Sequence, residues 1–376
     1  MPDFLQKIKS RQNFIAVIAD DFSGAAELAG LSLRYGLSVD ICFNEVKSTN
    51  KDVLVISTDS RSFPLQKALQ VNKTLLEKVL LLNPSFIYKK TDSALRGHII
   101  AELRQQMELT KKISTLFIPA NPSLNRIIKD GNYYINNELI HTTAFGNDPE
   151  FPINVSSIAE HFSNQVTLKR IEDYDNQPGI TVGVVAETID LQKWTTALSD
   201  MQAVAGAGDF YEAILSNIFE AVVVNNVQPA IPFLYVCGTA HKERKTWLHT
   251  VSGRTRSVVY INNDNAVNDA IGILSSTGKL ILAIDEAQLT INDTAEHLRQ
   301  QMAEVVHHIT KNISIAEIFI EGGSTAAAVI EKANITKVEV VGEWQRGVVR
   351  MKADAFFISV KPGSYALPRP VYEYFS

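Results

Sequence analysis

Short apolar runs alternate with longer amphipathic stretches along most of this chain, and nearly every run stops on polar residues or glycine. Phe14 to Ala19, Val53 to Ser57, Ser85 to Tyr88 and Thr115 to Ile118 read as strands, with helices near Ser23 to Tyr35, Leu65 to Leu82 and Ile99 to Leu109. A helix between consecutive strands returns the chain to the same edge of the sheet, so the alternation predicts a parallel, doubly wound α/β fold. The rhythm breaks from Asp130 to Pro152, where Gly, Asn and Pro surround Tyr133-Tyr-Ile135 and suggest a loop or small hairpin. It resumes with a strand at Ile180 to Val185 and helices near Thr188 to Met201 and Phe210 to Val222.

A second series begins at Ile231 to Val236 and continues through Lys279 to Ile284, a helix from Thr294 to Thr310, Glu317 to Ile320, a helix after Gly323, and Ala355 to Val360. A chain of 376 residues exceeds one ordinary core, so two domains are expected. Asn225-Asn226 and Pro229 place the boundary near 226 to 230, with Asp173 to Gly179 as the rival cut.

A formal charge of −5 argues against a nucleic-acid binder, whose footprint is a basic face. The cations cluster locally instead, at Lys89, Lys90 and Arg96, at His241 to Lys245 and at Arg346 to Lys352. No uncharged apolar run approaches the roughly 18 residues of a membrane span, and the first ten residues lack the apolar core of a signal peptide, so a cytoplasmic protein without membrane partners is expected. Cys42 and Cys237 lie in apolar stretches and fit no metal spacing, which makes them small buried hydrophobes.

The junctions carry the chemistry. The first strand ends on Asp20 and Asp21 before Phe22-Ser-Gly-Ala-Ala, a strand, tight turn and helix of the kind at which open α/β sheets bind ligands. Asp20 and Asp21 can bond substrate hydroxyls, and one can accept the proton of an attacking hydroxyl; equally, such pairs cap helices. Adjacent strand side chains point to opposite sides, so one acid, Asp21, is expected to act in chemistry while the other braces the turn. In Lys89-Lys-Thr-Asp-Ser-Ala-Leu-Arg-Gly97, cations and Asp92 converge on one mouth, and Arg96 with a lysine can hold a carboxylate. Arg61, after another strand, is a third candidate for that role. In the second half, Gly238-Thr239, Gly322-Gly323-Ser324-Thr325 and Gly363 follow apolar strands, where glycine lets backbone N–H groups approach phosphate. No Gly-x-x-x-x-Gly-Lys-Ser/Thr occurs.

Ala19-Asp-Asp-Phe-Ser-Gly-Ala25 resembles the Ala-Asp-Asp-Leu-Thr-Gly-Ala opening of the four-carbon acid sugar kinases, and Lys89 to Gly97 resembles their Lys-Lys-Ile-Asp-Ser-Thr-Leu-Arg-Gly. Val236-Cys-Gly-Thr239, Glu321-Gly-Gly-Ser-Thr-Ala326 and Lys361-Pro-Gly-Ser-Tyr365 follow in the family's order. Two departures are Ser324 in place of the family's Glu, and Ser364-Tyr365 in place of its Phe-Gly. The resemblance implies a substrate domain over 1–229, a nucleotide domain over 230–376, and an active site in the cleft between them. It also implies Mg²⁺- and ATP-dependent phosphorylation of the C4 hydroxyl of threonate, erythronate or a 3-oxo-tetronate. Asp21 and Asp92 are then the catalytic acids. Asp20, Arg61, Lys89, Lys90, Ser93, Arg96 and Gly97 face the sugar acid, and Gly238, Thr239, Gly322, Gly323, Ser324, Thr325 and Gly363 face the nucleotide. No residue is singled out for Mg²⁺, and a homodimer stays open.

Two other readings remain. Ala205-Gly-Ala-Gly-Asp-Phe210 resembles the anion-hole motif of ribokinase-like sugar kinases, with Asp209 as base, although here it is read as a glycine turn with Asp209 at a helix cap. A sugar-acid sensor without turnover is the non-enzyme alternative.

Overall fold

The computed structural model describes residues 3–10, 14–148, 150–224, 227–239, 242–285, 287, 289, 293–363 and 365–376. It divides into two compact units, 1–223 and 224–376. Asn225 and Asn226 lie outside the described residues, as do His241 of the second basic cluster and Ser364.

The first unit contains β1 (Ile15–Ala19), β2 (Val39–Phe43), β3 (Val53–Ser57), β4 (Phe86–Lys90), β5 (Ser114–Ile118), β6 (Arg126–Lys129), β7 (Asn132–Ile135), β8 (Glu138–Leu139), β9 (Thr167–Lys169), β10 (Gly179–Gly183) and β11 (Gln202–Gly206). Eight of these form one parallel run in the order β2-β3-β1-β4-β11-β5-β10-β9, while β6, β7 and β8 make a small antiparallel sheet. After β1 the chain builds β2 and β3 on one side and then crosses to β4 on the other. The winding therefore reverses beside β1 and β4, and the crevice beyond their C-terminal ends is where such sheets take ligands.

Both faces of this sheet are covered. Ala16, Cys42, Leu54 and Ile56 pack against Leu75 and Val79 of the helix Leu65–Leu81. Phe117, Ile180, Val182 and Ala205 pack with Leu103 and with Tyr133 and Ile135 of the small sheet. Full burial of each large apolar side chain contributes about 1.5–3 kcal/mol, and burial on both faces explains why these strands read as unbroken apolar runs.

The second unit holds β12 (Phe233–Cys237), β13 (Val258–Tyr260), β14 (Lys279–Ala283), β15 (Glu317–Glu321), β16 (Lys337–Gln345), β17 (Val348–Lys352) and β18 (Phe357–Lys361). Their order is β13-β14-β12-β15-β18-β17-β16, parallel through β18 and antiparallel at the last two steps. Its core is aromatic, built on Phe233, Tyr235, Trp247, Phe319 and Phe375.

Several expected elements shift. The helix expected to reach Met201 ends at Thr195, and β11 follows it. The helix expected from Phe210 to Val222 runs from Gly208 to Ser216. The cationic stretch Arg346 to Lys352 forms the turn and return strand of the β16–β17 hairpin, with Gly347 at φ +75°. Cys42 and Cys237 are buried thiols, as their surroundings suggested. Among the described residues no helix is long and apolar enough to cross a membrane.

Candidate active site

The acids after β1 do not separate to opposite sides as strand alternation predicted. The strand ends at Ala19, so Asp20 and Asp21 stand in the turn and both reach Arg61. Arg61 Nε and Nη2 each donate to Asp20 at 2.8 Å, and Nη2 also lies 2.7 Å from Asp21 Oδ1. The same segment is tied by main chain, with Ser60 N and Arg61 N donating to Asp20 O. Asp20 is buried. Burial pushes its carboxyl up, and the Arg61 charge and hydrogen bonds more than offset this, leaving it below the ordinary value. Asp21 caps the helix Phe22–Leu33 through Gly24 N at 3.1 Å, and its side chain is 22% exposed, against 4% for Asp20. Arg61 is thus committed to two acids rather than standing open for a ligand.

The two lysines of β4 diverge, as adjacent strand residues must. Lys89 is buried 2.7 Å from Glu102 of the helix Ile99–Thr110. Lys90 is 3.2 Å from Glu27 of the helix Phe22–Leu33 and donates to Thr91 O. Neither glutamate was singled out from sequence, because an acid in an amphipathic helix reads as solvated. Burial pushes Glu102 up, and Lys89 offsets this only in part.

Beyond β4 the chain turns sharply, with Leu95 at φ +63° and Gly97 at φ +91°. A Cβ on Gly97 would stand 3.1 Å from Asp20 Oδ2 and 3.3 Å from Arg61 Cγ, so the turn sits directly on the Asp20–Arg61 fork. Arg96 Nε donates to Asp92 at 2.5 Å, and Arg96 Nη1 to Asp148 at 3.1 Å. Burial pushes the Asp92 carboxyl up, but the Arg61 and Arg96 guanidiniums prevail and hold it well below the usual carboxylate range. Ser93 accepts from Arg126 Nη1 at 2.5 Å, and its carbonyl accepts from Tyr133. The structure therefore gathers Asp20, Asp21, Arg61, Lys89, Lys90, Asp92, Ser93, Arg96 and Gly97 around one mouth, together with Glu27, Glu102, Asp148 and Arg126, which sequence reasoning missed.

Asp209 has a different task. It lies in the first turn of the helix Gly208–Ser216 rather than at its cap, which is Ala207, and its carboxylate accepts from Ser123 N and Ser123 Oγ, both at 2.7 Å. Asn121 Oδ1 in return accepts from Asp209 N at 2.8 Å. The residue fastens the turn Pro122–Leu124.

In the second unit a cavity of about 330 Å³ is lined by Gly238, Thr239 and Gly322 to Thr325 at one end and by Leu248, Ile284, Leu298 and Met302 elsewhere, with Lys245 and Arg299 beside them. Gly322, at φ +111°, precedes the helix Gly323–Lys332 and offers it no side-chain cap. A Cβ on Gly238 would overlap the Thr325 side chain, which by itself requires glycine there. Gly363 is not among the lining residues. Behind the cavity, Glu321 is a buried hub: Tyr235 OH donates to it, Arg244 Nε donates at 3.0 Å, and Lys361 Nζ lies at 3.0 Å. Burial pushes the neighbouring Cys237 thiol up to about 12, so it is not a nucleophile at neutral pH.

Residues 15–230, more than half of the chain, match the family described as the sugar-binding N-terminal domain. A D-threonate kinase of Salmonella typhimurium is 25% identical over 363 residues, covering 83% of this chain and 85% of its own. A 3-oxo-tetronate kinase of Brucella melitensis is 30% identical over 159 residues, 40% of this chain and 36% of its own. The crystal structure of a Haemophilus influenzae protein of the DUF1537 family matches with a TM-score of 0.77 at 17% identity, over 96% of this chain and 98% of its own. At that identity the likeness speaks to the fold alone.

Proposed function

Because the chain belongs to the sugar-binding N-terminal domain family, and with its kinase relatives to the four-carbon acid sugar kinases, we propose that it transfers the γ-phosphoryl group of ATP to the C4 hydroxyl of a four-carbon sugar acid. The observation that carries this reading is the convergence, at the winding reversal beside β1 and β4, of carboxylates able to bind hydroxyls with the cationic side chains of Arg61, Lys90 and Arg96 that hold them in place.

Phosphoryl transfer proceeds through a loose transition state, so the protein's work is positioning and charge neutralisation. Asp21, more open than Asp20 and next to the Arg61 charge, accepts the C4 hydroxyl proton. Asp20 keeps Arg61 in place. Asp92 and Arg96 orient the sugar acid, with Ser93 and Lys90 beside them. Lys89, buried against Glu102, acts through the charge it places behind Asp20.

The second-unit cavity suits an adenine nucleotide. Its Leu248, Ile284, Leu298 and Met302 wall fits a base, and the Gly322 to Thr325 turn presents backbone N–H groups to phosphates. Among the described residues no group of three or more His, Cys, Asp or Glu is arranged to hold a metal ion. Mg²⁺ commonly binds through phosphate oxygens with one or two carboxylates, and it would neutralise charge on the transferring group. The reading further requires the γ-phosphoryl group to reach the hydroxyl held by the first-unit acids.

The test is ADP release, coupled to an optical assay, over D- and L-threonate, D- and L-erythronate and the 3-oxo acids, with ATP and Mg²⁺. Acid-dependent ADP release with a 4-phosphorylated product is expected for at least one of them. No acid-dependent release from any would overturn the assignment.

A further inference from the structure

We propose that Arg126, on the first strand of the small antiparallel sheet, is the residue that reads the carboxylate of the sugar acid; this rests on the tetronate kinase reading above. The cations singled out from sequence are all engaged by the protein. Arg61 holds Asp20 and Asp21, Lys89 faces Glu102, Lys90 faces Glu27, and Arg96 spans Asp92 and Asp148. A ligand carboxylate would have to break one of those pairs to use them. Arg126 is different: among the described residues it has no acidic partner. Its one side-chain hydrogen bond runs from Nη1 to Ser93 Oγ, and its Nε is buried without an acceptor.

A partly buried guanidinium without a counter-charge is costly, and such a group calls for an explanation. Its surroundings supply one. Arg126 lies over the Phe145 ring, 5.5 Å from the centroid, and Arg96 lies 5.3 Å from the same centroid. Two like charges therefore share one aromatic platform at the mouth, with the Ser93 hydroxyl beside them. A planar carboxylate answers this arrangement, since it can take two parallel N–H bonds from a guanidinium and lower the repulsion between the two arginines.

The backbone shows that Arg126 is held there. Asn121 N donates to Arg126 O at 2.8 Å and Arg126 N to Asn121 O at 3.2 Å, closing the turn, while Asn125 takes φ +53°. Asp209 fastens the same turn through Ser123. In this reading the glycine-rich Gly206 to Asp209 segment matters to substrate recognition indirectly, as the anchor of the Arg126 turn.

The experiment compares binding of the tetronate used by the wild type with that of its primary amide, which keeps the hydroxyls and loses the charge. Acid-dependent ADP release by the wild type is measured first, and its failure would count against the kinase reading rather than this one. In Arg126→Met the Kd for the acid, by calorimetry, should rise by about 10²-fold or more, because a site built for a polar contact is left incomplete. The Kd for the amide and for ATP should stay within about threefold. Arg126→Lys, which keeps the charge and much of the volume, should lose at least about tenfold for the acid alone. Equal losses for acid and amide would make Arg126 a structural residue, and an unchanged acid Kd in both variants would place the carboxylate elsewhere; either result overturns the proposal.

Discussion

Replacing Arg61 with methionine would remove the guanidinium that holds Asp20 while keeping much of the side-chain volume. Asp20 is 3% exposed and receives two 2.8 Å bonds from that group, so the variant leaves a desolvated carboxylate without its counter-charge. Breaking a buried pair from one side costs about 3–5 kcal/mol. For a unit of this size each kcal/mol moves Tm by about 2–4 °C, giving a drop of about 6–20 °C at pH 7. The pH dependence is the sharper test. In the wild type the Asp20 carboxyl lies below its ordinary value, so its contribution is present at neutral pH and is lost only as acid carries the pH down through that lowered pKa. In Arg61→Met burial acts unopposed by that guanidinium and the folded-state pKa rises above the unfolded one. The penalty is then full at pH 7 and shrinks as the pH falls towards the unfolded carboxylate range near 4, because the orphaned group takes up a proton. The assay is the Tm difference between variant and wild type, by calorimetry, from pH 7.5 to 4.5. The double variant Asp20→Asn with Arg61→Met should recover most of the loss at pH 7, since position 20 no longer carries a buried charge without its partner. A deficit below about 1 kcal/mol, or one that is flat across this pH range, would refute the reasoning.

Asp21→Asn and Asp92→Asn should each lower kcat by at least about 10²-fold with the fold intact, measured by ADP release and circular dichroism, since proton acceptance and orientation are typically worth that much. Gly97→Ala should destabilise and slow the enzyme, because it forces a Cβ onto a φ of +91° against Asp20; a Tm within 1 °C of wild type would count against the close packing of that turn. Gly322→Ala strains a backbone at φ +111° at about 1–3 kcal/mol and should weaken ATP binding by calorimetry while leaving sugar-acid binding unchanged.

The strands that position the first-unit site were legible because parallel strands buried on both faces leave unbroken runs such as Val53 to Ser57, which matched its expected bounds. β11 was not, since Gln202-Ala-Val-Ala-Gly206 has little intrinsic strand preference and becomes a strand by pairing with β4 and β5. The β16–β17 hairpin was hidden behind its charges; its signal was the Arg346-Gly347 turn between alternating runs. At the site, the motif residues came from sequence, but their partners did not. Asp20 and Arg61 are 41 positions apart, and Glu102 becomes a buried acid only once Lys89 is brought beneath it. Arg126 lies outside every recognised motif, on a strand, Arg126–Lys129, that precedes the stretch Asp130 to Pro152 read as a loop or small hairpin.

The pairing of nearly every charge around the mouth has a consequence for the cell's common anions. A chloride, phosphate or simple carboxylic acid that drew Arg96 away would take the guanidinium from the buried Asp92 carboxylate and from the half-buried Asp148, and would bring no donor in return. A polyhydroxy acid that sets its anionic end on Arg126 leaves those pairs intact, and its hydroxyls add donors to the carboxylates. Built this way, the mouth should take up simple anions poorly, and its occupancy should depend less on ionic strength than that of an open cationic pocket.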